Sequence, residues 1–329
     1  MEFGEIFPRV SRIIQRSFGL TPYASSQVVF LACSRHKLDE EQQKNMSAPQ
    51  NIVAVIFDFD DTLTDESTTK LLEEYGIAPV EFWKTQNEVL IAKHGWDPVP
   101  GYLKLMLDNV GPDKPFGKLK NSDLRAFGST LKFYPGVARL FTSLRKLASE
   151  HRASNPHIEF YVITSGLEEI VRGSKIAKEL SGVWGCQFAE AGGMIAHIKN
   201  VVSFTEKTRH LFEINKGIND KRKKPYAVNE DVKLGDRRIP FSNMIYVGDG
   251  LTDVPCFSLV SKLGGRSVGV FDPSKAGSPK RAFEKLIAPQ RVMSIHSPKY
   301  GPNDDLGSFL RVVVNQICVD LDVRSGMAL

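Results

Sequence analysis

An unusual concentration of carboxylates occurs early in the chain. The stretch Asp58-Phe59-Asp60-Asp61-Thr62 directly follows the apolar run Ile52–Phe57, which is typical of a strand buried on both faces. Ionised carboxylates are rarely buried without a partner or a metal, and three at one strand end would repel one another. A hard cation such as Mg²⁺ removes this repulsion, because it prefers carboxylate, water and phosphate oxygens. The motif therefore indicates a magnesium site, with an acidic turn or a helix N-cap as the simpler alternative.

Two further carboxylates occur in a similar position later in the chain. Asp249 and Asp253 lie in the stretch Gly248-Asp249-Gly250-Leu251-Thr252-Asp253, after the apolar run Met244–Val247. Parallel strands end at one edge of a sheet, and ligands usually bind there. We therefore expect both residues to lie near Asp58 and Asp60. The stretch is not a dinucleotide-binding fingerprint, because Asp253 stands where the third glycine is required.

Hydroxyl and amino groups complete the set of candidate residues. Thr164 and Ser165 follow the apolar run Phe160–Ile163, where a hydroxyl group could donate a hydrogen bond to a phosphoryl oxygen. A Thr-Ser-Gly sequence is also an ordinary turn at the end of a strand. Lys207 lies near the start of a predicted helix, and a lone lysine is usually just solvated. Both signals gain weight only from their order in the chain and their combination with the carboxylates.

Strand and helix patterns alternate along the chain from the first apolar run onward. Short apolar runs predict buried strands, and stretches with helical periodicity separate them. This alternation favours an α/β fold with a doubly wound, mostly parallel sheet. The predicted strands are Ile52–Phe57, Phe160–Ile163, Met244–Val247 and Ser267–Phe271, and the predicted helices include Val137–Ser149, Glu206–Ile214, Val254–Leu263, Lys280–Ile287 and Leu306–Leu321.

A long helical segment interrupts this alternation. Residues 66–130 carry no strand signal and contain several short helical stretches broken at glycine and proline residues. This pattern predicts a small helical cap domain inserted after the first strand, with residues 51–65 and 131–329 forming the core. Five aromatic residues of the segment either line a substrate pocket or form the segment's own core: Tyr75, Phe82, Trp83, Trp96 and Tyr102.

Two further segments stand apart from the core pattern. The basic stretch 217–240 is expected to be a solvated loop or a short hairpin, with attraction of an anionic substrate as the alternative. Residues 1–50 look like an extension with one amphipathic helix at about Pro8–Phe18. The extension is either a packing or regulatory arm, or sequence that precedes a native start at Met46.

The overall composition excludes several classes of protein. The 329 residues carry a formal net charge of +5 and are 42% hydrophobic, which is ordinary for a globular protein that handles anionic substrates. No basic stripe with interleaved aromatic residues indicates nucleic-acid binding, and no apolar run reaches the roughly 20 residues that span a bilayer. The four cysteines are scattered and favour a reducing compartment over a zinc site. We therefore expect a cytoplasmic protein that binds neither nucleic acid nor membrane, and no pattern indicates its oligomeric state.

In combination, these motifs resemble those of the haloacid dehalogenase-like (HAD) hydrolase superfamily over roughly residues 52–271. Asp58-x-Asp60-x-Thr62 is similar to the first motif of the superfamily, and Thr164 to the second. Lys207 is similar to the third motif, and Gly248-Asp249-x-x-x-Asp253 to the fourth. Four motifs in the expected order, three of them at the ends of predicted strands, make this a specific resemblance.

The resemblance implies a Mg²⁺-dependent phosphohydrolase. Asp58 would attack phosphorus and carry a covalent aspartyl phosphate, while Asp60 would transfer protons to the leaving group and from water. The Asp58 carboxylate, the Asp60 main-chain carbonyl and Asp249 would hold Mg²⁺. Asp253 would orient Lys207 or a metal-bound water. The implied catalytic residues are Asp58, Asp60, Thr164, Lys207 and Asp253, and the implied substrate-binding residues are Thr164, Ser165, Lys207 and Thr252.

The resemblance also points to one branch of the superfamily. With a carboxylate at Asp60, the sequence resembles the phosphatases and phosphotransferases of the superfamily. Its dehalogenases, phosphonatases and P-type ATPases lack a carboxylate at this position. A helical insert after the first motif resembles the phosphoserine phosphatase-like branch, whose first-type cap closes over the site. Thr252 departs from the asparagine usual in that branch, and Glu66 and Ser67 do not match the spacing of its cap glutamate. We therefore expect a small phosphorylated metabolite as substrate, without assigning phosphoserine.

Other functions stay open at this point. A phosphotransferase that passes the phosphoryl group to an alcohol, or a phosphoprotein phosphatase, could use the same residues. A signalling receiver module also phosphorylates an aspartate beside Mg²⁺, but it is much shorter and carries that aspartate on a later strand. A catalytically silent scaffold is disfavoured, because every expected catalytic residue is present.

Overall fold

The computed structural model describes residues 50–218 and 226–327. The predicted helix Pro8–Phe18 and the basic cluster Lys221-Arg222-Lys223-Lys224 lie outside these residues. No helix in the described ranges is long and apolar enough to cross a membrane.

Among the described residues, seven strands form one sheet. They are β1 (Ile52–Phe57), β2 (His157–Leu167), β3 (Gly182–Ala191), β4 (Met194–Asn200), β5 (Met244–Gly248), β6 (Arg266–Val270) and β7 (Ser294–His296). Their order in the sheet is β4-β3-β2-β1-β5-β6-β7, and only the pair β3 and β4 is antiparallel. With helices flanking this sheet, the predicted α/β fold with a doubly wound, mostly parallel sheet is confirmed.

The central strand β1 is deeply buried in the sheet. Its residues Val53–Phe57 are fully inaccessible to solvent and lie between β2 on one side and β5 on the other. Continuous apolar runs of this kind are typical of parallel strands covered on both faces. The end of β1 therefore carries Asp58 to the middle of the carboxyl edge of the sheet.

The sequence analysis missed three of the strands. Gly182 and Gly185 weaken the pattern of β3, because glycine contributes no side chain to the pleated surface. Most residues of β4 are partly or fully exposed, and β7 has only three residues at the edge of the sheet. None of the three produces the continuous apolar run that marked the other four strands.

Ten α-helices accompany the sheet in the described part of the chain. The helix Val137–Ala148 (α5) illustrates their origin, because its apolar residues recur at helical spacing and are buried. The predicted helix Lys280–Ile287 corresponds to the α-helix Ser278–Ala282 (α9), continued by the π-helical turn Phe283–Ile287. Another π-helical turn covers Glu81–Asn87. The helices are α1 (Ser67–Glu74), α2 (Glu88–His94), α3 (Pro98–Asp108), α4 (Asn121–Thr130), α5 (Val137–Ala148), α6 (Glu168–Gly173), α7 (Glu206–Lys216), α8 (Val254–Lys262), α9 (Ser278–Ala282) and α10 (Asp305–Met327).

The segment that carries helices α1 to α4 leaves the core after β1 and returns to it before α5 at the same place. Thr64 forms a β-bridge with Phe133, and its hydroxyl group donates to the carbonyl oxygen of Lys132 at 2.8 Å. The amide of Tyr134 donates to the carbonyl oxygen of Leu63 at 2.9 Å. These bonds hold the two ends of the helical segment side by side, so the segment joins the core at one position.

The described part of the basic stretch, residues 226–240, contains the short turns Ala227–Asn229 and Leu234–Asp236. Arg238 pairs with Glu159 at 2.5 Å. Because Glu159 is the third residue of β2, this ion pair lies toward the amino end of the strand, away from the carboxyl edge. Arg238 therefore anchors the stretch to the sheet at a distance from the predicted site.

Candidate active site

Three neighbouring parallel strands bring the predicted residues to one edge of the sheet. Asp58 follows β1, Asp249 follows β5, and Thr164 lies near the end of β2. The amide of Asp58 donates to the carbonyl oxygen of Val247 at 2.9 Å, which extends the ladder between β1 and β5 by one residue. This bond fixes the backbone from which the Asp58 side chain projects.

A fully buried lysine lies between two of the carboxylates. The Lys207 Nζ, carried by α7, lies 2.7 Å from Asp253 Oδ1 and 3.1 Å from Asp58 Oδ1. Burial alone lowers the pKa of a lysine, but Asp253 and Asp58 reverse this effect and hold the pKa of Lys207 well above its usual value. Asp253 also accepts hydrogen bonds from the Tyr246 hydroxyl group at 2.8 Å and from the amide of Gly250 at 3.2 Å.

The carboxylates at this edge could hold a divalent cation. Asp58, Asp249 and Asp253 each offer one oxygen, and these oxygens lie within 4.8 Å of one another. Asp253 accepts a hydrogen bond from Lys207, whereas Asp58 forms only a longer ion pair with it, so Asp58 and Asp249 are the carboxylates better placed to contact a cation. Hard oxygen donors of this kind are those that Mg²⁺ prefers.

The electrostatics of these carboxylates agree with a bound cation. Burial raises the pKa of Asp249 well above its usual value, and Asp253 and Asp58 raise it further. Burial also raises the pKa of Asp58 to about 7, although Lys207 opposes this rise. A divalent cation at the site would lower both pKa values, because it stabilises the ionised forms. The cluster thus fits a hard cation better than it fits an empty, dry interior.

Asp60 lies in an environment suited to proton transfer. Its Oδ1 accepts a hydrogen bond from the amide of Ser67 at 2.7 Å. A Cβ atom on Gly166 would lie only 2.6 Å from Asp60 Oδ2, so the carboxylate occupies space that only glycine leaves free. Burial raises the pKa of Asp60 to about 7, and the nearby Glu66 adds to this rise. A carboxyl group with this pKa can both donate and accept a proton near neutral pH.

A cavity of about 220 Å³ opens onto these residues. Two aromatic residues of the helical segment, Trp83 and Tyr102, line it, and the Tyr102 hydroxyl group donates to the carbonyl oxygen of Ser165 at 2.7 Å. The Ser165 hydroxyl group is buried and has no hydrogen-bond partner among the described residues, which leaves it available to a ligand. Of the predicted site residues, Asp58, Asp60, Thr164, Ser165, Asp249 and Thr252 line the cavity, whereas Lys207 and Asp253 do not.

Comparison with known proteins identifies relatives of this chain. A protein of Borreliella burgdorferi (strain ATCC 35210 / DSM 4680 / CIP 102532 / B31), described as an uncharacterized protein, is 31% identical over 239 residues. The match covers 66% of this chain and 81% of that protein. The chain belongs to the same family as this Borreliella protein. No protein-family model matches the sequence.

Solved structures resemble the fold. A crystal structure of a HAD family hydrolase from Salmonella enterica subsp. enterica serovar Typhi matches 85% of this chain and 79% of its own, with a TM-score of 0.51 and 12% identity. The predicted HAD resemblance is thereby confirmed for the fold. A probable phosphoserine phosphatase from Vibrio cholerae, 12% identical, matches 85% of this chain and 68% of its own, with a TM-score of 0.48 that is too low to bear on the branch.

Within this HAD-like fold, Glu66 has a structural partner of its own. Its carboxylate accepts hydrogen bonds from the amides of Thr68 and Thr69 at 3.2 and 2.5 Å and so caps the start of α1. Burial raises the pKa of Glu66 in this position. Glu66 also lines the cavity, so its carboxyl group lies beside any ligand that enters.

The sequence analysis missed several residues that support the candidate site. Tyr246 holds Asp253 from within β5, Gly166 makes room for Asp60, and Tyr102 contacts the end of β2. No local pattern marks Tyr246, because a tyrosine in a buried strand is ordinary. Gly166 is visible in the sequence as part of Thr-Ser-Gly, but a turn explains that pattern equally well. Tyr102 was one of five aromatic candidates, of which only Trp83 and Tyr102 line the cavity.

Proposed function

We propose that this chain is a Mg²⁺-dependent phosphomonoester hydrolase that forms a covalent phosphate on Asp58. The observation that carries the proposal is the position of the Lys207 ammonium group between Asp58 and Asp253, with Asp249 beside them at one strand edge. Carboxylates and a cation in this arrangement suit a reaction at a phosphorus atom surrounded by anionic oxygens. The Salmonella protein with a similar fold is described as a hydrolase, in agreement with this class of reaction.

In the first half of the reaction, an Asp58 carboxylate oxygen attacks phosphorus and the bond from phosphorus to the ester oxygen breaks. Asp60 donates its proton to that leaving oxygen, which departs as an alcohol. Lys207 neutralises phosphoryl oxygens and holds Asp58 in place. The hydroxyl groups of Thr164 and Ser165 donate hydrogen bonds to the remaining oxygens.

In the second half, Asp60 removes a proton from water, which attacks the phosphorus of the aspartyl phosphate. The bond from phosphorus to the Asp58 oxygen breaks, inorganic phosphate leaves and the Asp58 carboxylate is restored. Asp253 keeps Lys207 oriented throughout. Mg²⁺ bound by Asp58, Asp249 and the Asp60 main-chain carbonyl would shield the negative charge between nucleophile and phosphate.

The substrate is proposed to be a small phosphorylated metabolite that enters beneath the helical cap, residues 66–130. A cavity of about 220 Å³ walled by Trp83 and Tyr102 supports a small substrate rather than a folded phosphoprotein. The cap would select the substrate and exclude water from the core, residues 51–65 and 131–329. Scattered cysteines and an ordinary charge balance support a cytoplasmic location.

The test is release of phosphate from p-nitrophenyl phosphate with and without Mg²⁺, in wild type and in Asp58→Asn. We expect activity that requires Mg²⁺ and that falls by more than about a thousandfold in the variant, because the nucleophile is lost. Asp65→Asn is the matched control, since Asp65 is an exposed aspartate of the same loop. Full activity in Asp58→Asn would show that the nucleophile is another residue.

Hydrolysis and phosphoryl transfer are separated in the same assay by adding an alcohol such as glycerol. A hydrolase releases one phosphate for each nitrophenol, and the ratio stays at one when the alcohol is present. A phosphotransferase lowers this ratio, because part of the phosphate appears as the glycerol ester.

A further inference from the structure

A second cavity of about 280 Å³ adjoins the candidate active site. Asp61 and Asp249 line both cavities, so the two spaces meet at the residues that follow β1 and β5. The second cavity extends from there toward the residues after β6, where the exposed side chains of α9 and the following π-helical turn form its far wall.

Three acidic and three basic residues line the second cavity. Lys275 pairs with Asp61 at 2.5 Å, and Asp249 belongs to the carboxylates that would hold the cation. Asp272 is engaged by the amide and the hydroxyl group of Ser274, at 2.9 and 2.7 Å.

Two of the three cations, Arg281 and Lys285, lie in the far wall. Arg281 and Lys285 line the cavity, and neither forms an ion pair with a described residue. By contrast, Lys280 of the same helix does not line the cavity and lies 3.7 Å from Glu284. The unpaired cations are thus those that face the cavity.

We propose that the second cavity binds a second anionic group, phosphate or carboxylate, of the same substrate molecule. The inference rests on the proposed function for the position of the first phosphate at Asp58. Arg281 suits this task because its planar guanidinium group can contact two oxygens of one anion, and Lys285 adds a point charge. The substrate class is then a phosphomonoester with a second anionic group on the far side of the cation site.

The test measures binding without turnover, by calorimetry on the full-length Asp58→Asn protein with Mg²⁺. The probes are the monophosphates and bisphosphates of ethylene glycol, propanediol and butanediol, which vary the distance between the two anions. At the best spacing we expect the bisphosphate to bind about tenfold more tightly than the matching monophosphate. A difference of this size is what one hydrogen bond to a charged group contributes. In Arg281→Gln/Lys285→Gln, this ratio is expected to fall toward one.

Lys280→Gln is the matched control, because it removes a cation of the same helix that does not line the cavity. This variant should keep the wild-type ratio of the two dissociation constants. Bisphosphates that bind no better than monophosphates at any chain length would overturn the inference, and so would a preference that survives the double variant. Failure of the proposed function is distinct from both, since it appears as absent turnover of p-nitrophenyl phosphate by wild type.

Discussion

Lys207 shows how one residue can hold the candidate site together. Its side chain is fully buried, and a buried cation is tolerated only when it is paired and hydrogen bonded. Asp253 accepts a hydrogen bond from Lys207, Asp58 supplies a second negative charge, and the Tyr246 hydroxyl group donates to Asp253 from the sheet. Removal of the Lys207 ammonium group would leave the carboxylates of Asp58 and Asp253 next to each other in a buried environment without a positive charge between them.

The variant Lys207→Met tests this dependence. Methionine preserves most of the side-chain volume but removes the charge, and we expect the free energy of unfolding to fall by about 3–5 kcal/mol. Urea denaturation in the absence of divalent cations measures the change. Lys262→Met, at the exposed end of α8, should change stability by less than about 0.5 kcal/mol. Equal stabilities of the two variants would contradict the pairing.

At the scale of elements, the long helix α10 is fastened to the loop between α5 and β2. Asp322 of α10 lies 2.7 Å from the His151 Nδ1 and accepts hydrogen bonds from the amide and hydroxyl group of Ser154 at 2.9 and 2.6 Å. The hydrogen bond with Asp322 raises the pKa of His151, and the hydrogen bonds from Ser154 and His151 lower the pKa of Asp322.

These two shifts predict how the contribution of His151 varies with pH. Because the pKa of His151 is raised on folding, its stabilisation is complete below the ordinary value of about 6.5 and is lost as pH rises through the raised pKa. The pKa of Asp322 is lowered, so its stabilisation is present above about 3.9 and is lost as pH falls through the lowered pKa. The pair therefore contributes most between roughly pH 4 and 6.5.

The measurement is chemical denaturation of wild type and His151→Ala at about pH 5.5 and about pH 8.5. We expect the variant to lose less than about 1 kcal/mol at the lower pH, since the pair is near the surface, and less still at the higher pH. His197→Ala, an exposed histidine of β4, serves as control and should show no such difference. A larger loss for His151→Ala at the higher pH would reverse the expected sign.

At the scale of the whole molecule, a cation at the proposed site would couple binding at the carboxyl edge to stability. Asp58 and Asp249 come from segments far apart in the sequence, and their mutual repulsion opposes folding. A cation that binds only the folded chain stabilises it in proportion to the logarithm of its concentration. Metal binding should therefore be visible in the melting temperature, independently of activity.

We expect saturating Mg²⁺ to raise the melting temperature of wild type by roughly 3–8 °C. In Asp249→Asn this rise should be lost, because one of the two proposed carboxylate ligands is removed. Asp231→Asn, which neutralises an exposed aspartate outside the site, should retain it. Differential scanning calorimetry provides the measurement, and an equal rise in Asp249→Asn would remove Asp249 from the cation site.

The mostly parallel sheet and the edge at which the candidate residues lie follow from sequence patterns. The runs Ile52–Phe57 and Met244–Val247 are apolar throughout, so burial on both faces and a parallel sheet could be predicted from them alone. Carboxylates directly after such runs then lie at the carboxyl edge by geometry. The weak strands β3, β4 and β7 could not be predicted in this way, because their position depends on pairing with strands already in the sheet.

Only the tertiary structure decided which side chains contact one another at that edge. The sequence by itself determined the α/β fold and the candidate residues Asp58, Asp60 and Asp249. The burial of Lys207 between Asp58 and Asp253, and the cations Arg281 and Lys285 beside the second cavity, depend on packing between segments distant in the chain. Local patterns record burial and chain reversal, whereas a contact between distant residues exists only once the elements have packed.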